Sequence, residues 1–274
     1  MSTEDLPVST ASELIPLVGS PTAPLLVDVR RPADFQAAGR LIAGSIRRQA
    51  GQVADWAAQL RGRRVVVYCA HGRMVSQTAC RELRELKINA SYLEGGYTGW
   101  TEAGGPTLRW LPGLSEEPSL WVTRERPKID RIACPWLIRR FIDPLAQFLY
   151  VPPEEVLPTA KAVQATPYDI PEVRYSHRGS ECSFDAFLAD FELSLPALST
   201  LASIVRAADT DRLDLAPQAA GLLAISLGLS AILPDDHEMF EQGCRVYDAL
   251  HAWCSRGQGE NHNWNPQAPS PQAN

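Results

Sequence analysis

The sequence predicts an α/β domain, with a parallel sheet flanked by helices, followed by a mainly α domain of the α+β class. Up to residue 108, short β-prone runs alternate with amphipathic helical patterns, and this alternation is typical of parallel sheets. Residues 109–119 contain prolines, a glycine and two glutamates without periodicity, which indicates a linker. From residue 120 to residue 256, an apolar run precedes patterns of helical period. We therefore expect two domains joined by a short connection.

Composition limits the classes of function. At 274 residues the chain is long enough for two cores, and a hydrophobic content of 45% is ordinary for globular proteins. A net charge of −6 disfavours broad electrostatic binding of nucleic acid. We expect no membrane role, because the sequence lacks a run of about 18 apolar residues and its start is acidic and polar, unlike a signal peptide. Six cysteines without a C-x-x-C pair indicate reduced thiols, so we expect a cytoplasmic protein.

The first elements have clear local signals. Residues 7–18 predict a short helix, because a serine and a threonine precede Glu13 as possible caps. Residues 25–29 predict a strand, and Pro32 suits the first turn of the helix that follows. Residues 90–94 predict a further strand, which a pair of glycines ends in a turn.

Residues 65–76, with the sequence VVVYCAHGRMVS, bring a cysteine from a strand into a turn. Four β-prone residues predict a short buried strand, and a helical pattern begins near Val75. Cys69 therefore faces the amides of the turn and the positive end of a helix, and both favour the thiolate. The alternative is a buried structural cysteine, which is what most free cysteines are.

The helix after this cysteine has an apolar stripe formed by Val75, Ala79, Leu83 and Leu86. Cys80 lies off that stripe. It is either a resolving thiol for a reactive Cys69 or an ordinary half-buried residue of the helix.

Three segments resemble the rhodanese family. They are CAHGRMVS at 69–76, LLVDVRRPADF at 25–35, and YLEGGYTGW followed by AGGPT between 92 and 107. The resemblance covers residues 1–108 and implies a rhodanese-like sulfurtransferase domain. Its reactive loop would lie at the carboxyl end of a parallel strand.

The resemblance also implies roles for individual residues. Cys69 would accept a sulfur atom as a persulfide, and Asp28 with Arg30 would support the loop from below. The amides that hold the sulfur would be those of Ala70, His71, Gly72, Arg73, Met74 and Val75. Sulfur transfer of this kind requires no cofactor, and the donor would be a small molecule such as thiosulfate or a persulfide.

Two segments depart from the family pattern. Met74 stands where many members carry an arginine that would bind an anionic donor, and Arg73 is the available substitute. The segment RLIAGSI at 40–46 replaces the usual His-Ile-Pro-Gly-Ala, with Leu41 and Ala43 at the histidine and proline positions.

In the second domain, an apolar strand at 120–122 and a strand at 173–176 accompany several predicted helices. The helices are expected at 131–142, 183–192 with Ser183 as the N-cap, 196–208, 217–233 and 235–255. The helix at 217–233 is apolar nearly all round, which predicts the buried central helix of the domain.

Four segments of this domain resemble the carboxyl-terminal domain of the chromate-resistance ChrB family. They are WVTRERPKIDRIACPWLIRRFIDPLAQFLYVP, YDIPEVRYSHRGSECSFDAF, IVRAADTDRLDLAPQAAGLLAISLGLS and YDALHAWC. The resemblance covers about residues 121–256. It implies an association with chromate resistance. Some members are chromate-responsive regulators with a different amino-terminal domain.

Polar residues at the ends of elements are candidate ligands in this domain. One histidine with two or three carboxylates suits iron, manganese or zinc, and His177 with Asp209 is the best pair. Acidic residues at helix starts are also ordinary caps. The competing interpretation is an oxyanion site, because arginine forks suit tetrahedral dianions such as chromate or sulfate. Arg131 and Arg139 are the candidates there, within a basic cluster that also contains Arg124, Arg126, Lys128 and Arg140.

The sequence therefore predicts a sulfurtransferase fused to a chromate-resistance domain. The alternatives are a non-catalytic chromate- or redox-responsive regulator, and a metal-dependent redox role for the second domain. DNA binding is disfavoured because of the negative charge and because no helix-turn-helix is evident. Residues 257–274 are polar and proline-rich, which predicts a disordered tail.

Overall fold

The computed structural model describes residues 6–111 and 118–260. The strands of the first domain are β1 (Val8–Ser9), β2 (Leu25–Asp28), β3 (Arg40–Ile42), β4 (Ser45–Arg47), β5 (Arg64–Tyr68), β6 (Asn89–Leu93) and β7 (Thr107–Arg109). Within the described ranges, a five-stranded parallel sheet has the order β1–β6–β5–β2–β4. The predicted α/β fold with a parallel sheet is confirmed.

Helices cover this sheet. They are α1 (Ala11–Leu14), α2 (Pro32–Ala38), α3 (Val53–Trp56), α4 (Met74–Glu85) and α5 (Gly96–Glu102). The helix expected over 7–18 is shorter than predicted, because Val8 and Ser9 pair with β6 and a capping box at Thr10 starts α1 at Ala11. Residues Ile15–Leu17 then continue only as a 3₁₀ turn, since Pro16 has no N–H to donate.

The apolar stripe predicted for α4 is rotated in the structure. The residues that α4 buries are Ser76, Ala79, Cys80 and Leu83. Leu86 lies beyond the end of the helix and is 46% exposed. Cys80 therefore faces the core, and its predicted position off the stripe is wrong. A helix with few strongly apolar side chains buries small residues next to its main stripe, and periodicity alone does not resolve that shift.

The second domain contains a small parallel sheet and six helices among the described residues. The strands are β8 (Leu120–Arg124), β9 (Gln147–Val151) and β10 (Thr166–Pro167), in the order β10–β8–β9. The helices are α6 (Asp130–Leu137), α7 (Val156–Val163), α8 (Ser183–Asp190), α9 (Pro196–Asp209), α10 (Ala219–Ile232) and α11 (Asp236–Ala252). The mainly helical α+β class is confirmed, whereas α7 and β9 were not predicted.

Several local predictions for this domain need correction. The strand expected at 173–176 is replaced by turns, with a single bridge between Tyr168 and Tyr175. The N-cap of α8 is Cys182, because the Asp185 carboxylate accepts a hydrogen bond from the Cys182 N–H. The predicted helix 131–142 is an α-helix only at Asp130–Leu137, with Pro135 inside it, and continues as a π-helical turn at Ile138–Ile142.

The prediction of a buried central helix at 217–233 is wrong. On α10 only Ala219, Leu222 and Ser226 are buried, and Ile232 is 72% exposed. The central helix is instead α6, which buries seven of its eight residues. The uniform apolarity of α10 predicted that it is buried on all sides. In the structure its neighbours α9 and α11 cover the face that carries Ala219, Leu222 and Ser226.

The two domains share one hydrophobic cluster. Leu41 and Leu108, from the antiparallel pair β3 and β7, pack in the same cluster as Trp136 of α6. The Gly44 N–H donates a hydrogen bond to the Phe141 carbonyl at 2.6 Å. A Cβ on Gly19 would lie 2.1 Å from the Phe141 ring, so a glycine is needed where this ring meets the first domain. The domains are therefore packed against each other.

Two predictions fall partly outside the described residues. The linker expected at 109–119 includes residues 112–117, and the tail expected at 257–274 includes residues 261–274, none of which the structure describes. Gly257 itself closes a π-helical turn at Trp253–Gly257. Among the described residues, every helix is too short or too polar to span a bilayer.

Candidate functional site

Cys69 lies at the carboxyl edge of the first sheet. β5 ends at Tyr68 and α4 begins at Met74, so the cysteine opens the short loop between a strand and a helix. Because β5 pairs with β2 on one side and β6 on the other, this loop emerges from the middle of the sheet. The structure thus places Cys69 where the sequence predicted.

The Cys69 thiol is buried and hydrogen-bonded. The residue is 7% exposed, and its Sγ lies 3.2 Å from the Ser76 Oγ. Burial raises the pKa of this thiol. Hydrogen bonds from the Ser76 hydroxyl and from the backbone of Ser76, His71 and Arg73 lower the pKa by more, so that it lies below the ordinary value. This environment favours a thiolate.

The other five cysteines of the chain have the opposite environment. All are buried, and burial raises the pKa of each of them. The pKa is about 11 for Cys80 and Cys254 and about 12 for Cys244. The environment of Cys80 does not favour a resolving role. Cys69 is the cysteine suited to nucleophilic chemistry.

The first turn of α5 supports the cysteine loop through backbone contacts. The Tyr97 N–H donates to the Cys69 carbonyl at 2.9 Å, and the Thr98 N–H donates to the Ala70 carbonyl at 3.0 Å. Gly96 has a φ of 59°, and a Cβ there would lie 2.4 Å from the Cys69 carbonyl oxygen. A glycine at 96 is therefore required for the two segments to approach this closely.

A glycine is also required at position 72, within the cysteine loop itself. Its φ is 66°, and a Cβ would lie 2.5 Å from the Leu93 carbonyl oxygen at the end of β6. The Gln77 side chain donates to the Gly72 carbonyl at 3.1 Å. The loop is therefore held mainly by main-chain geometry.

That rim consists of His71, Arg73 and Met74, which are exposed. The His71 Nδ1 lies 3.2 Å from the Thr98 Oγ1, and Met74 is 77% exposed. Val75 is half-buried at the first turn of α4. The rim therefore presents one arginine and one imidazole to a molecule that approaches the thiol.

A second group of chemically active side chains lies in the other domain. One donor atom from each of Asp130, His177 and Asp209 lies within 4.8 Å of the other two. The His177 Nε2 is 3.1 Å from the Asp209 Oδ2 and 3.6 Å from the Asp169 Oδ1. The structure thus brings together the two predicted ligands, His177 and Asp209, with two further aspartates.

Comparison with known families agrees with this division of the chain. The rhodanese-like domain family matches residues 10–103, and the ChrB C-terminal domain family matches residues 121–254. The chain joins a rhodanese-like domain to a ChrB C-terminal domain. It is 33% identical over 132 residues to the protein ChrB of Cupriavidus metallidurans, a match that covers 48% of this chain and 39% of that protein.

Solved structures resemble the rhodanese-like domain. A rhodanese-related protein from Thermoplasma volcanium is 28% identical, with a TM-score of 0.34, and the match covers 38% of this chain and 99% of that one. A thiosulfate sulfurtransferase from Pseudomonas aeruginosa is 22% identical, with a TM-score of 0.34, and the match covers 39% of this chain and 20% of that one.

In the rhodanese-like domain, Asp28 and Arg30 form a buried ion pair. The Asp28 carboxylate accepts hydrogen bonds from the Arg30 N–H at 2.8 Å and from its guanidinium at 2.6 Å. The guanidinium carbon lies 4.0 Å from the centre of the Tyr97 ring, and Tyr97 donates to the Cys69 carbonyl. Asp28 therefore reaches the loop through Arg30 and Tyr97, and its predicted support of the loop is indirect in this geometry.

In the ChrB C-terminal domain, the structure separates the two predicted anion-binding arginines. The Arg131 Nε lies 3.3 Å from the Asp169 Oδ2, whereas the Arg139 Nη1 lies 2.6 Å from the Glu241 Oε1. Arg139 also lines a cavity of about 490 Å³ between the domains. The other arginines of the basic cluster pair with carboxylates as well, namely Arg124 with Asp169, Arg126 with Asp236 and Arg140 with Asp248.

Sequence reasoning missed three contributors to these sites. Ser76 lies in the segment 65–76, and a hydroxyl in the first turn of the helix that follows Cys69 was the signal that could have identified it. Gly96 was identified only as a turn residue. Asp169 follows Tyr168, which forms an isolated β-bridge with Tyr175. Its spacing from His177 in the sequence matches no ligand motif.

Proposed function

We propose that the rhodanese-like domain transfers sulfane sulfur through a persulfide on Cys69. The Cys69 thiolate attacks the outer sulfur of a donor, and an S–S bond forms as the donor's own S–S bond breaks. From thiosulfate, sulfite leaves with the electron pair. An acceptor thiolate then attacks the outer sulfur of the persulfide, and Cys69 leaves again as a thiolate.

The observation that supports this proposal best is the position of the Cys69 Sγ. It lies 3.2 Å from the Ser76 hydroxyl, at the amino end of α4 and beside loop amides. These dipoles stabilise a negative sulfur both before and after transfer, because a persulfide is an anion at neutral pH as well. Since the loop amides are fixed by the backbone, they need no rearrangement when the charge moves outward by one atom.

The exposed residues of the rim determine which sulfur donor we expect. Arg73 is exposed beside the loop and attracts an anion, whereas Met74 adds an apolar surface next to it. A single arginine favours thiosulfate less than a pair would. We therefore expect the domain to accept sulfur from a low-molecular-weight persulfide at least as readily as from thiosulfate.

Mass spectrometry of the intact protein tests the proposal. The full chain is incubated with thiosulfate and, separately, with glutathione persulfide, and is compared with Cys69→Ser and with the matched control Cys80→Ser. We expect a gain of one sulfur atom on the wild type and on Cys80→Ser, reversed by cyanide or a thiol acceptor, and no gain on Cys69→Ser.

A gain of sulfur on Cys69→Ser would overturn the assignment of the nucleophile. No gain on any variant with either donor would overturn sulfur transfer, and the domain would then act as a binding or sensing module next to the ChrB C-terminal domain. Circular dichroism of Cys69→Ser establishes that the variant is folded.

A further inference from the structure

Three side chains of the ChrB C-terminal domain converge from distant parts of the sequence. Asp130 is the first residue of α6, His177 lies in the turns before α8, and Asp209 is the last residue of α9. One donor atom from each lies within 4.8 Å of the other two. The separations exceed those of a sequence motif, so only the packing of these elements brings the three together.

The carboxylates of Asp130 and Asp209 both approach the same ring nitrogen of His177. The His177 Nε2 lies 3.1 Å from the Asp209 Oδ2 and 3.9 Å from the Asp130 Oδ2. The approach to Asp130 is longer than a hydrogen bond. The imidazole nitrogen and two carboxylate oxygens thus surround a common point.

Asp130 is oriented toward that point by the start of α8. Its carboxylate accepts hydrogen bonds from the Ser183 N–H at 2.6 Å and the Phe184 N–H at 3.0 Å. The Cys134 thiol approaches the same carboxylate at 3.2 Å. Asp130 is 1% exposed, and among the described residues His177 is the only basic side chain within 4 Å of it. A buried carboxylate without an arginine or lysine is costly unless a cation compensates it.

Asp169 has a different position in the same group. Its Oδ2 pairs with Arg124 at 3.0 Å and with Arg131 at 3.3 Å, and its Oδ1 accepts the Ser183 hydroxyl at 2.8 Å. Two arginines therefore balance Asp169. This leaves Asp130 and Asp209 with a single histidine between them.

We propose that Asp130, His177 and Asp209 bind a divalent transition-metal ion, and that Asp169 with its two arginines forms the outer shell. One imidazole and two carboxylates suit Zn²⁺, Mn²⁺ or Fe²⁺ better than Ca²⁺ or Mg²⁺, which take oxygen ligands. The hydrogen bonds that hold Asp130 are of the kind that orient metal ligands.

The ion would be accessible from one side. The side chain of His177 is 42% exposed and that of Asp209 is 18% exposed, whereas Asp130 closes the base of the site. Three protein ligands leave further coordination positions on the open side for water or a small molecule. This site is independent of the proposed chemistry of Cys69, since it uses different residues in a different domain.

Metal titration of the full chain tests the site. The protein is stripped with a chelator, dialysed and titrated by calorimetry with Zn²⁺, Mn²⁺ and, without oxygen, Fe²⁺. We expect one ion per chain for at least one of them and a higher melting temperature in its presence. His177→Gln and Asp209→Asn should each weaken binding at least tenfold.

Matched variants separate this site from other metal-binding groups. His237→Gln removes an exposed imidazole elsewhere in the domain, and Asp214→Asn removes an exposed carboxylate that pairs with Arg212. Cys69→Ser removes the thiolate of the other domain. All three should bind the ion as the wild type does. With Co²⁺ as a probe, the visible absorption bands of the bound ion should be lost in His177→Gln and kept in the three controls.

Several outcomes would overturn the proposal. Binding of less than one tenth of an equivalent of every ion would mean that His177 itself, as an imidazolium, is the counter-charge of the aspartates. Equal binding by the wild type and His177→Gln would mean adventitious metal. Loss of binding in Cys69→Ser would assign the ion to the rhodanese-like domain. Melting curves of the stripped variants show whether any loss reflects unfolding.

Discussion

The two candidate sites are built in opposite ways. The Cys69 site is a contiguous loop held by main-chain contacts, with Gly96 and Gly72 packed against neighbouring backbone. The Asp130 site is assembled from side chains on α6, on α9 and in the turns before α8. The first should therefore tolerate changes of rim side chains but not of its glycines, whereas the second depends on the identity of each side chain.

The buried aspartates of the two domains differ in the groups that compensate their charge. Asp28 is fully buried and paired with Arg30, whose side chain is 1% exposed, and Arg47 approaches it at 3.6 Å. Asp130 is 1% exposed and is held by backbone amides. The comparison suggests that Asp28 is a structural counter-ion, while the carboxylates around His177 are arranged for a ligand.

The largest expected effect is therefore on stability, from Asp28→Asn. This change leaves the guanidinium of Arg30 buried without its counter-charge, which costs about 3–5 kcal/mol. Asp209→Asn removes a carboxylate from a group with excess negative charge, so in the absence of metal it should change stability by no more than about 1 kcal/mol. Chemical denaturation of both variants measures the difference. Equal losses of stability in Asp28→Asn and Asp209→Asn would contradict this difference between the two aspartates.

A smaller effect is expected from Gly96→Ala. Gly96 and Gly104 both have positive φ, which costs an alanine about 1–2 kcal/mol at either position. Only at 96 does the new Cβ meet backbone, 2.4 Å from the Cys69 carbonyl oxygen, whereas at 104 nothing lies within 4 Å.

We therefore expect Gly96→Ala to lose a further 1–3 kcal/mol or so and to lose sulfur uptake, with Gly104→Ala as the matched control. Denaturation and intact mass measure the two effects. If both variants keep full sulfur uptake, the cysteine loop does not depend on the close backbone contact.

The pH dependence of alkylation gives a third test. Because hydrogen bonds lower the pKa of Cys69, its thiolate should be present at a lower pH than that of an ordinary cysteine, and its reaction with iodoacetamide should persist as the pH falls. The native protein should take up one equivalent at neutral pH, since burial raises the pKa of the other five thiols.

Ser76→Ala should sharpen this result. Without the hydroxyl at 3.2 Å, the midpoint of the pH profile should move upward, and the rate at neutral pH should fall by roughly tenfold, as expected for a hydrogen bond to a charged group. An unchanged profile would show that the backbone amides alone set the reactivity. Arg84→Ala, at the other end of the same helix, is the control.

The smallest effect on the fold is expected from Met74→Arg. Met74 is 77% exposed, so its replacement should change stability by less than about 0.5 kcal/mol. A second positive charge on the rim should raise kcat/KM with thiosulfate several-fold while leaving that with an uncharged persulfide donor unchanged. Leu86→Arg adds the same charge beyond the far end of α4. An equal gain from both variants would mean that the rim does not select the donor.

The sequence by itself identified the Cys69 site because every part of its loop is close along the chain. A β-prone run, a cysteine, a glycine and a helical pattern are local signals, and the strand and helix they predict are both present. Local signals failed where the burial of a residue depends on parts of the chain that are distant in sequence. The burial of Cys80 is an example, because it depends on the rotation of α4 against the sheet.

Tertiary structure alone decided the second site and the position of α10. His177 and Asp209 were predicted as single residues at element ends, but their distance from Asp130 and the pairing of Asp169 with two arginines depend on how α6, α8 and α9 pack. The exposure of α10 likewise depends on which neighbours cover it. Local sequence determines the backbone geometry of a segment, whereas the approach of side chains 30 to 80 residues apart is determined by the packing of the whole core.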